Sequence, residues 1–161
     1  MAIVGGQFEE LRNEFNGRIQ RINIDSADYS FGTPLGGWCI RLTNKSGSNQ
    51  IKGTIVRADT GDDDAFDIAP GDSDEPLGVL AQDIPDNSTG WVIVSGIAEV
   101  LLKDSTASTH GNWVGVSDTA GRAYSATEPP AVPAHDREIG HCLSSEGAGT
   151  NVLCKVVLHF R

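Results

Sequence analysis

The chain has 161 residues, enough for one domain with a real core, and 19 glycines with a 39% hydrophobic share favour short strands and tight turns over long helices. A formal net charge of −10 excludes the Lys- and Arg-driven release of counterions on which nucleic-acid binding depends. No apolar run is long enough to cross a bilayer as a helix, and MAIVGGQFEELRNEF lacks the basic-then-apolar order of a secretory signal, so none is expected.

The first element is an amphipathic helix within GQFEELRNEFNGRIQRI. Phe8, Leu11, Phe15, Ile19 and Ile22 recur at steps of three and four and share one face. Glu9, Glu10 and Glu14 lie near its start and Arg18 and Arg21 near its end, as the helix dipole favours. Gly17 weakens it by about 1 kcal/mol relative to Ala, so the helix orders when packed. It either covers one end of the domain or docks on a partner or sister subunit. Residues 1–28 are read as this helical arm and residues 29–161 as a β-rich domain.

Strands follow at Trp38–Leu42, Ile51–Ala58, Ala65–Ile68, Leu77–Gln82, Trp91–Leu102, Trp113–Ser117, Arg122–Ser125, Glu138–Ser144 and Asn151–Phe160, separated by Gly, Pro, Asn and Asp. In GWVIVSGIAEVLL, Val92, Val94, Gly96, Ala98, Val100 and Leu102 fall on one face and Trp91, Ile93, Ile97 and Leu101 on the other. A strand apolar on both faces is central, bent at Gly96, or covered on its second side by another subunit. The stretch ATEPPAVPAHD is a Pro-rich connector.

The stretch TGDDDAFDIAPGDSDEPLG holds seven carboxylates, and no Lys or Arg occurs from Ala58 to Leu102. Most of the basic residues lie between Arg12 and Arg57, a dipolar layout that either orients the chain on a charged surface or simply accompanies solubilising acidic loops. An EF-hand loop starting at Asp62 would need Gly at Asp67 and Glu at Ser73, so that reading fails. A looser cation site from Asp62, Asp63, Asp64 and Asp67 competes with hairpin turns, which these residue types favour. GDSD lacks the strand-to-helix elbow that would activate Ser73 as a nucleophile. His135, or His141 with Cys142, could ligate a metal. The alternation instead places His141 with Ile139 and Leu143 as a satisfied buried histidine. No P-loop or GxGxxG occurs. Cys39, Cys142 and Cys154 are odd in number and not in CxxC spacing. They read as reduced structural thiols suited to synthesis in a reducing cytosol, with Cys154 on the core face of NVLCKVVLHF.

The order IKGTIVRAD, EPLGVLAQDI, GWVIVSGIAEVLL, HGNWVGVSDTAGRA, REIGHCL, VLCKVVLHF, over residues 51–161, resembles tailed-bacteriophage capsid decoration (head-stabilising, cement) proteins of the small β-barrel or β-tulip type. That resemblance implies a mainly β fold, a small barrel or β-tulip/sandwich preceded by the helical arm. It also implies a virion protein on the capsid exterior, a homotrimer at threefold positions of the expanded shell, with the major capsid protein as partner. No enzyme activity, cofactor, nucleic acid or membrane is implied. On this reading Phe8, Leu11, Phe15, Ile19 and Ile22 contact the capsid or a neighbouring subunit, and Arg12, Arg18 and Arg21 meet acidic capsid groups. Trp91, Ile93 and Ile97 bury the subunit interface. Two alternatives stand beside it: a phage tail, baseplate or fibre-base structural protein, and a small metal-dependent hydrolase using Asp62, Asp64, Asp67 and His141.

Overall fold

The computed structural model describes residues 37–129 and 134–160. The arm, and with it Phe8, Leu11, Arg12, Phe15, Arg18, Ile19, Arg21 and Ile22, lies outside the described residues. Within them the chain forms β1 (Gly37–Asn44), β2 (Ile55–Ala58), β3 (Ala65–Ile68), β4 (Gly78–Leu80), β5 (Thr89–Leu101), β6 (Trp113–Val116), β7 (Ala123–Ala126), β8 (Glu138–Cys142) and β9 (Leu153–Leu158), with a 3-10 turn at Ala134–Arg137 before β8. The fold is mainly β, as expected. The expected strand at Ile51–Ala58 begins late because Thr54 folds back, its N–H and Oγ1 donating to the Ile51 carbonyl at 3.2 and 2.7 Å, and Gly53 takes a φ of +86°. Asp64, Asp72, Asn87 and Asn151 also adopt positive φ, the left-handed geometry that Asp and Asn tolerate best among residues with a Cβ.

The strands run β1-β3-β2-β4-β5, and β5 pairs back onto β1, which closes a five-stranded barrel. β1 and β3 are parallel and the other neighbours antiparallel. Leu42, Val56, Phe66, Leu80, Ile84 and Val92 fill the interior. From β5 the sheet continues through β9, β8, β6 and β7. It curls back toward the end of β5 through a parallel bridge between Leu102 and Ala123, reinforced by the Lys103 N–H donating to the Ala123 carbonyl at 2.8 Å. Arg122 ties this seam, donating to the Leu102 carbonyl at 3.0 Å and to Asp104 at 2.9 Å.

A second core lies between the outside of the barrel and this second sheet. Ile55, Val79 and Ile93 point out of the barrel into it and meet Ala98, Val100, Val114, Ile139, Cys154 and Val156. Adjacent residues therefore serve different cores: Ile55 and Val56 on β2, Val79 and Leu80 on β4, Ile93 and Val92 on β5. Strands buried on both faces lose the polar–apolar alternation of a half-exposed sheet.

Two β-bulges alter the expected faces. On β5 the register passes from Trp38–Ser95 to Cys39–Ile93, which leaves Val94 as the extra residue, and Gly96 bends just beyond with φ +95°. The phase flips there, so Ile93 and Ala98, which regular alternation assigns to opposite faces, enter the same core. On β8 the register passes from Val114–Gly140 to Gly115–Glu138, and Ile139 is the extra residue. Ile139 and Cys142 consequently share the core, and His141 is turned away from Ile139, half-buried on the other side of the sheet. The expectation of a core histidine beside Ile139 is corrected.

Gly53 and Gly47 separate two costs of adding a methyl group. Both have positive φ, +86° and +74°, but a Cβ at Gly47 meets nothing, whereas one at Gly53 would run into the Leu153 side chain and lie 2.9 Å from the Leu101 nitrogen. Gly47→Ala is expected to cost about 1 kcal/mol, the left-handed backbone strain alone. Gly53→Ala is expected to cost that plus an overpacking penalty of about 1–3 kcal/mol. Urea unfolding of both variants measures the difference, and equal losses would contradict the packing described.

Candidate functional site

The acidic stretch resolves into turns and ion pairs. Asp59 Oδ1 accepts the N–H groups of Gly61 and Asp62, both at 2.7 Å, and closes the turn between β2 and β3. These two bonds hold its carboxyl below the usual value. Asp62, Asp63 and Asp64 are exposed on that turn, Asp67 accepts from Arg57 at 3.1 Å, and Asp72 pairs with Arg137 at 2.8 Å. His141 sits on β8, so the set Asp62, Asp64, Asp67 and His141 does not assemble; among the described residues, one group of three or more metal-ligating side chains meets, and it contains none of these aspartates. Ser73 is buried, and its Oγ accepts from the Glu75 N–H at 3.2 Å as a turn former.

The cysteines behave as core residues. All three are buried free thiols. Cys142 and Cys154 are hydrogen-bonded neighbours on β8 and β9. That bond, and then burial, pushes the Cys142 thiol up.

The faces turned to solvent carry more information. Across the second sheet the register places Ile97 opposite Val157, Val157 opposite His141, and His141 opposite Trp113. This half-buried row crosses β5, β9, β8 and β6 on the face away from the core. The His141 and Trp113 rings lie 4.4 Å apart. One step along, Glu99 stands opposite Lys155 and Glu99 also pairs with Lys52, so a charged margin borders the row. A second exposed feature lies at β1, where Trp38 and Ile40 remain 58% and 38% exposed. There Cys39, Ile40, Arg41 and Trp91 line a shallow cleft of about 360 Å³, with the Arg41 guanidinium 5.5 Å from the Trp91 ring centre. Apolar surface rimmed by charge has the character of an association face.

The three interface residues expected on β5 are thus separated. Ile97 belongs to the outer row and Trp91 to the cleft beside β1. Ile93 is 2% exposed and fills the core between the barrel and the second sheet, so it offers no surface to another chain. Trp38, Ile40 and Arg41 were missed because the alternation of GWCIRLTN shows two faces without showing which is covered.

The chain matches no protein-family model and no curated protein. Among solved structures it is similar to the N base of the head fibre protein gp8.5 of bacteriophage phi29, at 15% identity and a TM-score of 0.51. The match covers 75% of this chain and 94% of that one. At such identity the likeness establishes a common β fold.

Asp59 gives a test of the acidic turn. A carboxyl whose value is lowered by folding stabilises above its unfolded value, and that stability is lost as pH falls through the folded one. Asp59→Asn keeps an oxygen acceptor without a titrating charge. Its melting temperature is expected to fall less than that of the parent between about pH 5 and about pH 3, while Asp59→Ala is destabilised at neutral pH as well. Identical acid profiles for parent and Asp59→Asn would refute the role of the carboxylate.

Proposed function

We propose that the chain is a structural protein of a tailed-phage virion, a decoration protein that binds the outer surface of the expanded head as a trimer. The observation that carries this reading is the fold shared with nearly the whole of a phage head-fibre base. The β domain sits on the shell, residues 1–28 anchor it to the major capsid protein, and the outer row with Ile97 and the Trp91 cleft meet sister subunits. The protein acts by binding rather than catalysis, with no cofactor, nucleic acid or membrane involved. A pressurised shell is weakest between capsomers, and a trimer touching several of them at once turns modest contacts into a long-lived clamp. The net charge of −10 keeps decorated particles apart.

A second reading is favoured by the same neighbour: the domain is the base of a head fibre, attached at few positions and carrying a projecting part. Both readings place the protein on the virion exterior and differ in copy number.

Purified protein is mixed with procapsids and with expanded heads lacking it, and co-sedimentation is measured. Saturable binding to expanded heads alone, near three copies per threefold site, is the expected result. Saturation at far fewer copies would select the fibre base, and no binding to either particle would move the protein to the tail or baseplate. Deleting residues 1–22 is expected to leave a cooperatively melting domain that no longer sediments with heads; normal decoration by the truncated chain would rule out the arm as anchor.

A further inference from the structure

Glu138, His141 and His159 come together where β8 begins and β9 ends, and the proposed head-surface role makes no use of their chemistry. In a regular strand Glu138 and His141, three residues apart, would point to opposite faces. The bulge at Ile139 brings both to the side away from the core. His159 follows β9 and is fixed beside the bulge by its N–H, which donates to the Ile139 carbonyl at 3.0 Å. The Nε2 atoms of His159 and His141 lie 3.1 and 3.9 Å from the same oxygen, Glu138 Oε1. The three ligand-capable atoms are all within 4.8 Å of one another.

We infer that Glu138, His141 and His159 form a binding site for a divalent transition-metal ion, zinc foremost. Two imidazole nitrogens and one carboxylate oxygen are a borderline-soft donor set that suits zinc and disfavours calcium and magnesium, which take oxygen ligands. Around a tetrahedral zinc, bonds of about 2.0–2.2 Å set the ligand atoms roughly 3.3 Å apart. The His159–Glu138 spacing already fits. The longer His141 spacing closes with a small side-chain rotation, which its exposure permits. The Glu138 side chain is 1% exposed, while those of His141 and His159 are 34% and 40% exposed, so the carboxylate forms the floor and the imidazoles the rim. The Trp113 ring against His141 limits that imidazole's freedom. Three protein ligands leave a fourth position for water on the solvent side. A metal there joins the start of β8 to the residue after β9 and so ties two neighbouring strands of the sheet together. The competing occupant is a proton, which would make the cluster an ion-paired carboxylate–imidazole group and nothing more.

The test uses untagged full-length chain, stripped with chelator, dialysed, and titrated with zinc chloride in a calorimeter, with metal content measured after desalting. One zinc per chain is expected. His141→Ala and His159→Ala are each expected to weaken binding at least about tenfold and the double variant to abolish it. His110→Ala, whose ring contacts Ser145 in another loop, should bind as the parent does. Both substituted imidazoles are partly exposed, so the variants should fold, and their unfolding without metal checks this directly. The parent's melting temperature should rise by several degrees with zinc and that of the double variant should not. Cobalt in place of zinc should give the intense visible absorption of four-coordinate sites. No stoichiometric uptake at up to about 100 µM zinc, or uptake that survives in the double variant, overturns the proposal.

Discussion

β5 is the constraint on which the rest of the structure depends. Its first half pairs with β1 and β4 and closes the barrel, and its second half pairs with β9 and founds the second sheet. One strand can serve both only by changing which face is inward, since side chains alternate strictly along a regular strand. The extra residue Val94 and the bend at Gly96 make that change. Ahead of the bulge Val92 fills the barrel; beyond it Ala98 and Val100 line the second core, with Ile93 reaching that core from the barrel side. Without the phase flip, Ala98 and Val100 would turn to solvent while Ile97 and Glu99 turned inward, and Glu99 would be a buried charge of high cost.

Burial on both faces follows from the same arrangement. The barrel is too small to hide all the apolar surface of β2, β4 and β5 in its interior, and the second sheet covers what remains outside. Ile55, Val79 and Ile93 bridge the two cores, so unfolding either sheet would expose them. The two sheets thus form one cooperative unit rather than two modules.

The strand positions could be read from the chain because hydrophobic alternation and turn residues are local signals. Ala65–Ile68 lies where the pattern AFDI between acidic turns puts it, and Asp64, Asn87 and Asn151 occupy left-handed positions for which their side chains are suited. The glycines in VIVSG and EIGHC mark a bend, but the position of the extra residue could not be read, because it is defined by the partner strand. Ile93 shares the face of Trp91, as alternation predicts, but the chain's own second sheet covers that face, while the bulges separate Ile97 from Ile93 and His141 from Ile139. Glu138 and His159 escaped notice for the same reason. They are distant in sequence and meet through the pairing of β8 with β9, and a carboxylate at a strand start reads as an exposed cap until its burial is known. A buried Glu three residues before a His is still a signal worth weighing wherever Gly follows an apolar residue between them, as in Glu-Ile-Gly-His.

The outer row and the cleft beside β1 differ in which strands hold them. The row from Ile97 to Trp113 is carried by four mutually paired strands, so its side chains are set by sheet register and lose little further freedom on contact. The cleft is carried by β1, which pairs with β5 along its length and with β3 at its end, and by Trp91 on β5 itself. Contacts on a preorganised sheet face cost little further ordering, so they set orientation as well as affinity.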